Sequence, residues 1–235
     1  MVRSDRAIGA APFRRCKVLV PKSTALSASS TFSDDAVEVL DRRSFAAGRY
    51  RVDRYRLRHK MFGGGWSDAL ERDVLERGHA AALLPYDPVA DAIVLVEQFR
   101  IGALAAGQAP WMLEVVAGMI EADDADPEAV ARRESMEECG CRVGSVEPIA
   151  VYQPSPGVSS ETLHLFCGRI DSREAPAQAG LVEEGEDLRV HVWPWSKARR
   201  ALDQGVFTNA ATLIALHWLA RRRPALRRRW NGAAK

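Results

Sequence analysis

The residues best suited to chemistry are three glutamates, Glu134, Glu137 and Glu138, in the stretch RRESMEEC. Successive helical residues turn by about 100°, so positions i, i+3 and i+4 project from one side within reach of one another. Three like charges so placed repel, and a hard divalent cation is the counter-charge that carboxylate oxygens suit. Mg²⁺ in particular completes its shell with water and phosphate oxygens, and Mn²⁺ takes similar ligands. The same pattern also describes a solvated acidic face neutralised by Arg132 and Arg133, and the residue types alone leave both readings open.

A helix must hold these side chains, and its ends are written in the sequence. Asp126 supplies a cap for free backbone amides, Pro127 suits the first helical position, and Glu128 favours the positive end of the dipole. Gly140 marks the stop. Around this helix, apolar runs bounded by turn formers predict strands at Val74 to Pro85, Ala92 to Arg100 and Trp111 to Ala117 before it. Further strands are predicted after it, at Val146 to Gln153, Thr162 to Ile170 and Leu188 to Trp193. Two more helices are predicted, near Ser196 to Gln204 and Asn209 to Arg222, the last burying Leu213, Leu216, Leu219 and Ala220 on the sheet. Earlier, Val37, Val39 and Leu40, then Tyr55, Leu57, His59 and Met61, alternate as strands of a small N-terminal sheet, and Gly63 to Gly65 mark a turn.

The chain has 235 residues, 47% hydrophobic and 27% charged, enough for one catalytic domain with a smaller appendage. Residues 1 to 35 show no sustained periodicity and read as a loosely ordered extension. No apolar run approaches the roughly 20 residues that span a bilayer, and no secretory signal is evident, so a cytoplasmic protein is expected. The four cysteines lack the spacing of a zinc site, and Cys139 and Cys141 read as small buried side chains. Net charge is +2, and the arginines at 221–223 and 227–229 read as a solvated segment after a helix rather than a nucleic-acid footprint.

The stretch GMIEADDADPEAVARRESMEECGC, 118–141, resembles the Nudix box, G-x5-E-x7-R-E-U-x-E-E-x-G-U with U apolar; Gly118, Arg133, Glu134, Glu137, Glu138 and Gly140 match. It departs in four ways: the segment before Arg133 is one residue longer, no Glu stands at the first Glu position (Asp124 is the nearest acid), Ser135 replaces an apolar residue, and Cys141 ends the box. The resemblance extends over about residues 36 to 230 and is closest to the bacterial ADP-ribose pyrophosphatase branch. RGHAAALLPYDP, VLVEQFRIGA, WMLEVVAGMIE, SPGVSSE, EGEDLRVHV and NAATLIALHWL carry it, with Pro156 resembling the proline that marks ADP-ribose specificity.

The resemblance implies an α+β Nudix fold, a mixed sheet sandwiched between helices. It implies an N-terminal β subdomain at 36–76, a catalytic domain at 77–230 and a tail at 231–235. By position, Glu134, Glu137, Glu138 and the carbonyl of Ala117 would hold Mg²⁺, with Mn²⁺ possible and Glu186 as accessory ligand. Glu184 would be the general base. Arg72, Arg100 and Glu161 would bind substrate, and Tyr50 or Arg49 would take the place of the family's adenine-stacking aromatic. A homodimer without membrane or nucleic-acid partners is implied. The implied reaction is hydrolysis of ADP-ribose to AMP and ribose 5-phosphate. Alternatives are cleavage of GDP-mannose or another nucleotide sugar, and a non-catalytic ADP-ribose sensor; the intact glutamates and the lack of a helix-turn-helix pattern in residues 1 to 35 disfavour the sensor.

Overall fold

The computed structural model describes residues 31–48, 50–181 and 185–232. After a 3-10 turn at Asp34–Ala36, strands β1 (Val37–Ala47), β2 (Tyr50–His59) and β3 (Leu70–Glu76) form an antiparallel sheet in that order. Its hairpin turns at Gly48, whose φ of 63° is left-handed. Asp53 is fully buried within this sheet and receives Arg42 and Arg51, an ion cluster in place of a large apolar core.

The sequence predicts one strand from Val74 to Pro85, but the chain breaks there. Gly78, at φ 86°, turns it from β3 into β4 (Ala80–Asp87), which lies in a different sheet. A left-handed residue cannot continue an extended strand. Likewise Trp111 to Ala117 is two strands, β6 (Trp111–Glu114) and β7 (Val116–Met119), one pairing with β5 (Ala92–Phe99) and the other with β4. β4 and β5 pair only at Tyr86 with Ile93 and Asp87 with Ala92, then diverge, and β6 and β7 each take one of the freed edges. Arg100, Glu114 and Ala117 lie along this wedge.

The eight-stranded sheet has the order β10-β11-β5-β4-β9-β8, with β8 (Val146–Tyr152), β9 (Leu163–Arg169), β10 (Gln178–Ala179) and β11 (Leu188–Pro194). β4 and β9 run parallel while the other pairs are antiparallel, so the sheet is mixed. Every residue of β4 is buried because both faces are covered. Alternate side chains serve the two faces: Ala82, Leu84 and Tyr86 join α3 (Trp195–Asp203) and α4 (Ala210–Gly232), while Ala81 and Leu83 join α2 (Pro127–Cys139). The short α1 (Ile101–Ala105) and β10 carry too few residues to leave a periodic signal, and the sequence does not predict them.

α4 corrects a second expectation. It runs through Pro224 to Gly232, so the second arginine run, with Asn231 of the expected tail, is helical, with Arg228 and Arg229 exposed to solvent as expected and Arg227 half-buried. Trp230 is buried in the core near Tyr86, ring centroids 6.3 Å apart. Arg223 and Arg227 pair with Asp91, and Arg227 Nε donates to the Pro88 carbonyl at 3.0 Å. Among the described residues no helix is long and apolar enough to cross a membrane. Residues 1–30 lie outside the described residues.

Candidate active site

The local signals around α2 form as the residues dictate. Asp126 Oδ1 accepts from Ala129 N at 2.8 Å, and Gly140 closes the helix at φ 65°, its N–H donating to the Met136 carbonyl at 3.1 Å. Val130, Ala131 and Cys139 bury one face against the sheet. Ser135 is fully buried yet satisfied, its Oγ donating to the Cys141 carbonyl at 2.9 Å, which accounts for a hydroxyl at an apolar position. Asp124 folds the longer loop locally, its Oδ2 accepting from Glu121 N at 2.7 Å.

Glu138 is 1% exposed and its Oε2 accepts from Ala117 N at 2.9 Å, tying α2 to β7 through the amide of Ala117. Glu134 is also buried and crosses the backbone of Gly118 so closely that an added Cβ would stand 1.8 Å from its Oε1. Glu137 is the most exposed of the three and accepts from Arg133 at 2.7 Å, and the same guanidinium reaches Glu134 at 2.9 Å. Arg133 is thus the counter-charge to two of the glutamates, while Arg132 pairs with Glu128 instead.

Among the described residues Glu138 has no such ion pair. Burial pushes its carboxyl up to about 8; the Ala117 N–H and the more distant Arg100 oppose the shift, whereas Glu134 and Glu186 add to it. Three of the other expected site residues, Glu134, Glu186 and Arg100, thus each lie within electrostatic reach of Glu138. An all-oxygen set with excess negative charge, part of it buried, is the chemistry that receives a hard divalent cation, so the residues fit one. Among the described residues no three acidic, histidine or cysteine side chains form a ready-made cage. Glu186 is bound into its own loop, its N–H donating to the Leu181 carbonyl at 3.1 Å.

Arg100 follows β5 and lies against Glu114, its Nε and Nη2 each 2.8 Å from Oε2. Glu161 is buried and accepts from Arg77 at 3.1 Å. Its loop, with Pro156, is fastened to the end of β3: Leu75 N donates to Val158 O at 2.8 Å, and Ser160 Oγ donates to Glu76 at 2.6 Å. Arg72 is exposed on β3, paired in register with Tyr55, and donates to the Glu71 carbonyl; Tyr50 opens β2 at the hairpin. Within this chain Arg72 and Tyr50 remain on the three-stranded sheet. Glu184 and Arg49 lie outside the described residues.

Three contributors escape the sequence reading: Arg77 beside Glu161, and Glu114 with Asn209 behind Arg100. Glu114 did leave a signal, a lone acid within the apolar run WMLEVVA, since a carboxylate in a buried strand demands partners. Which partners it has depends on contacts 95 residues apart.

The NUDIX domain model matches residues 76–213. The chain is 43% identical over 200 residues to an ADP-ribose pyrophosphatase of Escherichia coli, covering 85% of this chain and 95% of that one. It is 36% identical over 150 residues to a GDP-mannose pyrophosphatase of Cronobacter sakazakii, covering 63% and 77%. A crystal structure of an ADP compounds hydrolase superposes with a TM-score of 0.62 at 19% identity, over 86% of this chain and 98% of that one, a likeness of fold.

Proposed function

The chain belongs to the NUDIX domain family, and from that premise we propose that it is a hydrolase that cleaves the pyrophosphate bond of ADP-ribose, giving AMP and ribose 5-phosphate. The observation that carries the substrate is the 43% identity to an ADP-ribose pyrophosphatase along 95% of that relative's length. Glu134, Glu137, Glu138 and Glu186 would hold the divalent ion, Mg²⁺ first and Mn²⁺ as substitute, with the Ala117 carbonyl as a further oxygen. When bound there, such an ion supplies neutralisation of the diphosphate charge and Lewis acidity toward a water nucleophile.

The chain's own groups do the rest. Arg100 presents a guanidinium fork suited to phosphate oxygens, and Arg72 offers a second. Glu161, held by Arg77, orients the ribose. Glu184 accepts the proton of the attacking water. Glu138, anchored on Ala117 N, keeps α2 and β7 in register so that the glutamates face the anhydride. Arg72 and Tyr50 lie on the three-stranded sheet, and they serve the site of a second copy in a cytoplasmic homodimer. Light scattering tests the dimer; an active monomer overturns it.

The substrate test incubates purified protein with Mg²⁺ and either ADP-ribose or GDP-mannose. Production of AMP and ribose 5-phosphate from the first, at a kcat/KM at least tenfold above that for the second, supports the reading. The reverse ranking favours the second reading, motivated by the 36% identity to a GDP-mannose pyrophosphatase. Binding of ADP-ribose without cleavage of either substrate would leave the sensor role.

A further inference from the structure

Glu114 takes no part in the chemistry above, yet its buried carboxylate is among the most fully satisfied groups beside the site. Only 3% of the residue is exposed. Oε2 receives Arg100 Nε and Nη2, each at 2.8 Å, and Gln98 Nε2 at 3.2 Å; Oε1 receives Asn209 Nδ2 at 2.8 Å. Asn209 stands just before α4, and its Oδ1 accepts from Thr212 N at 3.0 Å as a helix cap does. Thr212 Oγ1 in turn donates to Asn209 Oδ1 at 3.2 Å and accepts from Val115 N at 3.1 Å. The bonds run from Arg100 through Glu114, Asn209 and Thr212 back to Val115, the neighbour of Glu114, and so fasten α4 to the wedge between β6 and β7.

A buried ion pair is weak evidence for stability, because well-packed apolar side chains often serve as well. What this one fixes is direction. Two nitrogens of Arg100 face Glu114, while 43% of its side chain is exposed. A flexible side chain ordered in advance of the ligand loses less freedom on binding an anion.

We propose that Glu114 is a positioning residue for the phosphate-binding guanidinium of Arg100 and that Asn209, at the start of α4, holds Glu114 in place. The first turn of a helix remote in sequence thereby sets substrate affinity. This rests on the substrate role given to Arg100 above.

The test is steady-state kinetics of Glu114→Gln and Asn209→Ser on ADP-ribose, with GDP-mannose in parallel. Serine keeps a cap acceptor for Thr212 N and removes the donor to Glu114, so α4 stays capped. KM is expected to rise about tenfold or more for Glu114→Gln and several-fold for Asn209→Ser, with kcat within about threefold of wild type. In an Arg100→Lys background the same two changes should alter KM by less than twofold, because the group they orient is gone. A lower melting temperature with unchanged KM, or effects that add independently of Arg100→Lys, would overturn the proposal. If the wild type cleaves neither nucleotide, the functional reading fails first and the positioning role falls with it; an active wild type with unaltered variants rejects the positioning role alone.

Discussion

The carboxylate of Glu134 lies directly across the backbone of Gly118, leaving no room for a methyl group: a Cβ at that position would be 1.8 Å from Oε1 and 2.0 Å from Cδ. A side chain at the first glycine of the motif would thus have to displace a carboxylate of the helix that the motif also encodes.

Gly118→Ala should therefore displace Glu134 while leaving the hydrogen bond between Glu138 and Ala117 N available. The expected outcome is a tenfold or greater loss of kcat/KM and a weaker response to Mg²⁺. Circular dichroism should stay unchanged. An alanine variant with wild-type Mg²⁺ dependence would show that Glu134 is dispensable.

Glu138→Gln should separate stability from activity. The folded protein holds the Glu138 proton up to about pH 8, above the ordinary value of 4.5. The folded state therefore binds more protons than the unfolded chain between those values, and metal-free stability falls as pH climbs through that window. A neutral glutamine escapes this loss. Metal-free Glu138→Gln should melt higher than wild type at pH 8 and match it at pH 5, while turnover falls by orders of magnitude. Calorimetry in buffers of different ionisation enthalpy should also show proton release when Mg²⁺ binds the wild type at pH 7, and none in the variant.

Asp87 predicts the acid limb. Burial alone would raise its pKa, yet bonds from the Ser172 backbone and hydroxyl and from Ala90 N and Val89 N hold it below the usual carboxylate value. Its contribution is present above the unfolded value, about 3.9, and is lost as pH falls through the lower folded one. Urea denaturation of Asp87→Asn should show a deficit of about 1–3 kcal/mol at pH 7 that shrinks toward pH 3. A deficit constant with pH would assign the effect to packing.

The end of α4 should behave as core. Trp230→Ala removes a side chain that is 3% exposed, at a cost of about 3–5 kcal/mol in chemical denaturation. A change below 1 kcal/mol would mean that the second arginine run contributes nothing to the fold.

The sequence by itself determined the elements with strong local causes. The cap at Asp126, the stop at Gly140 and the spacing of Glu134, Glu137 and Glu138 are set within one helix, so short-range rules place them. The apolar runs of β5, β8, β9 and β11 announced themselves for the same reason. Where an apolar run changes sheets, local pattern is silent. The breaks at Gly78 and Val115 depend on which partner strand offers a free edge, and the passage of α4 beyond Pro224 depends on Asp91 and Tyr86 waiting to receive it. Tertiary structure alone decided that Glu138 would be buried against Ala117 N and that Glu114 would stand between Arg100 and Asn209. Those are contacts between segments distant in sequence, and burial, the quantity that makes a charge costly or useful, exists only once the chain has closed around it.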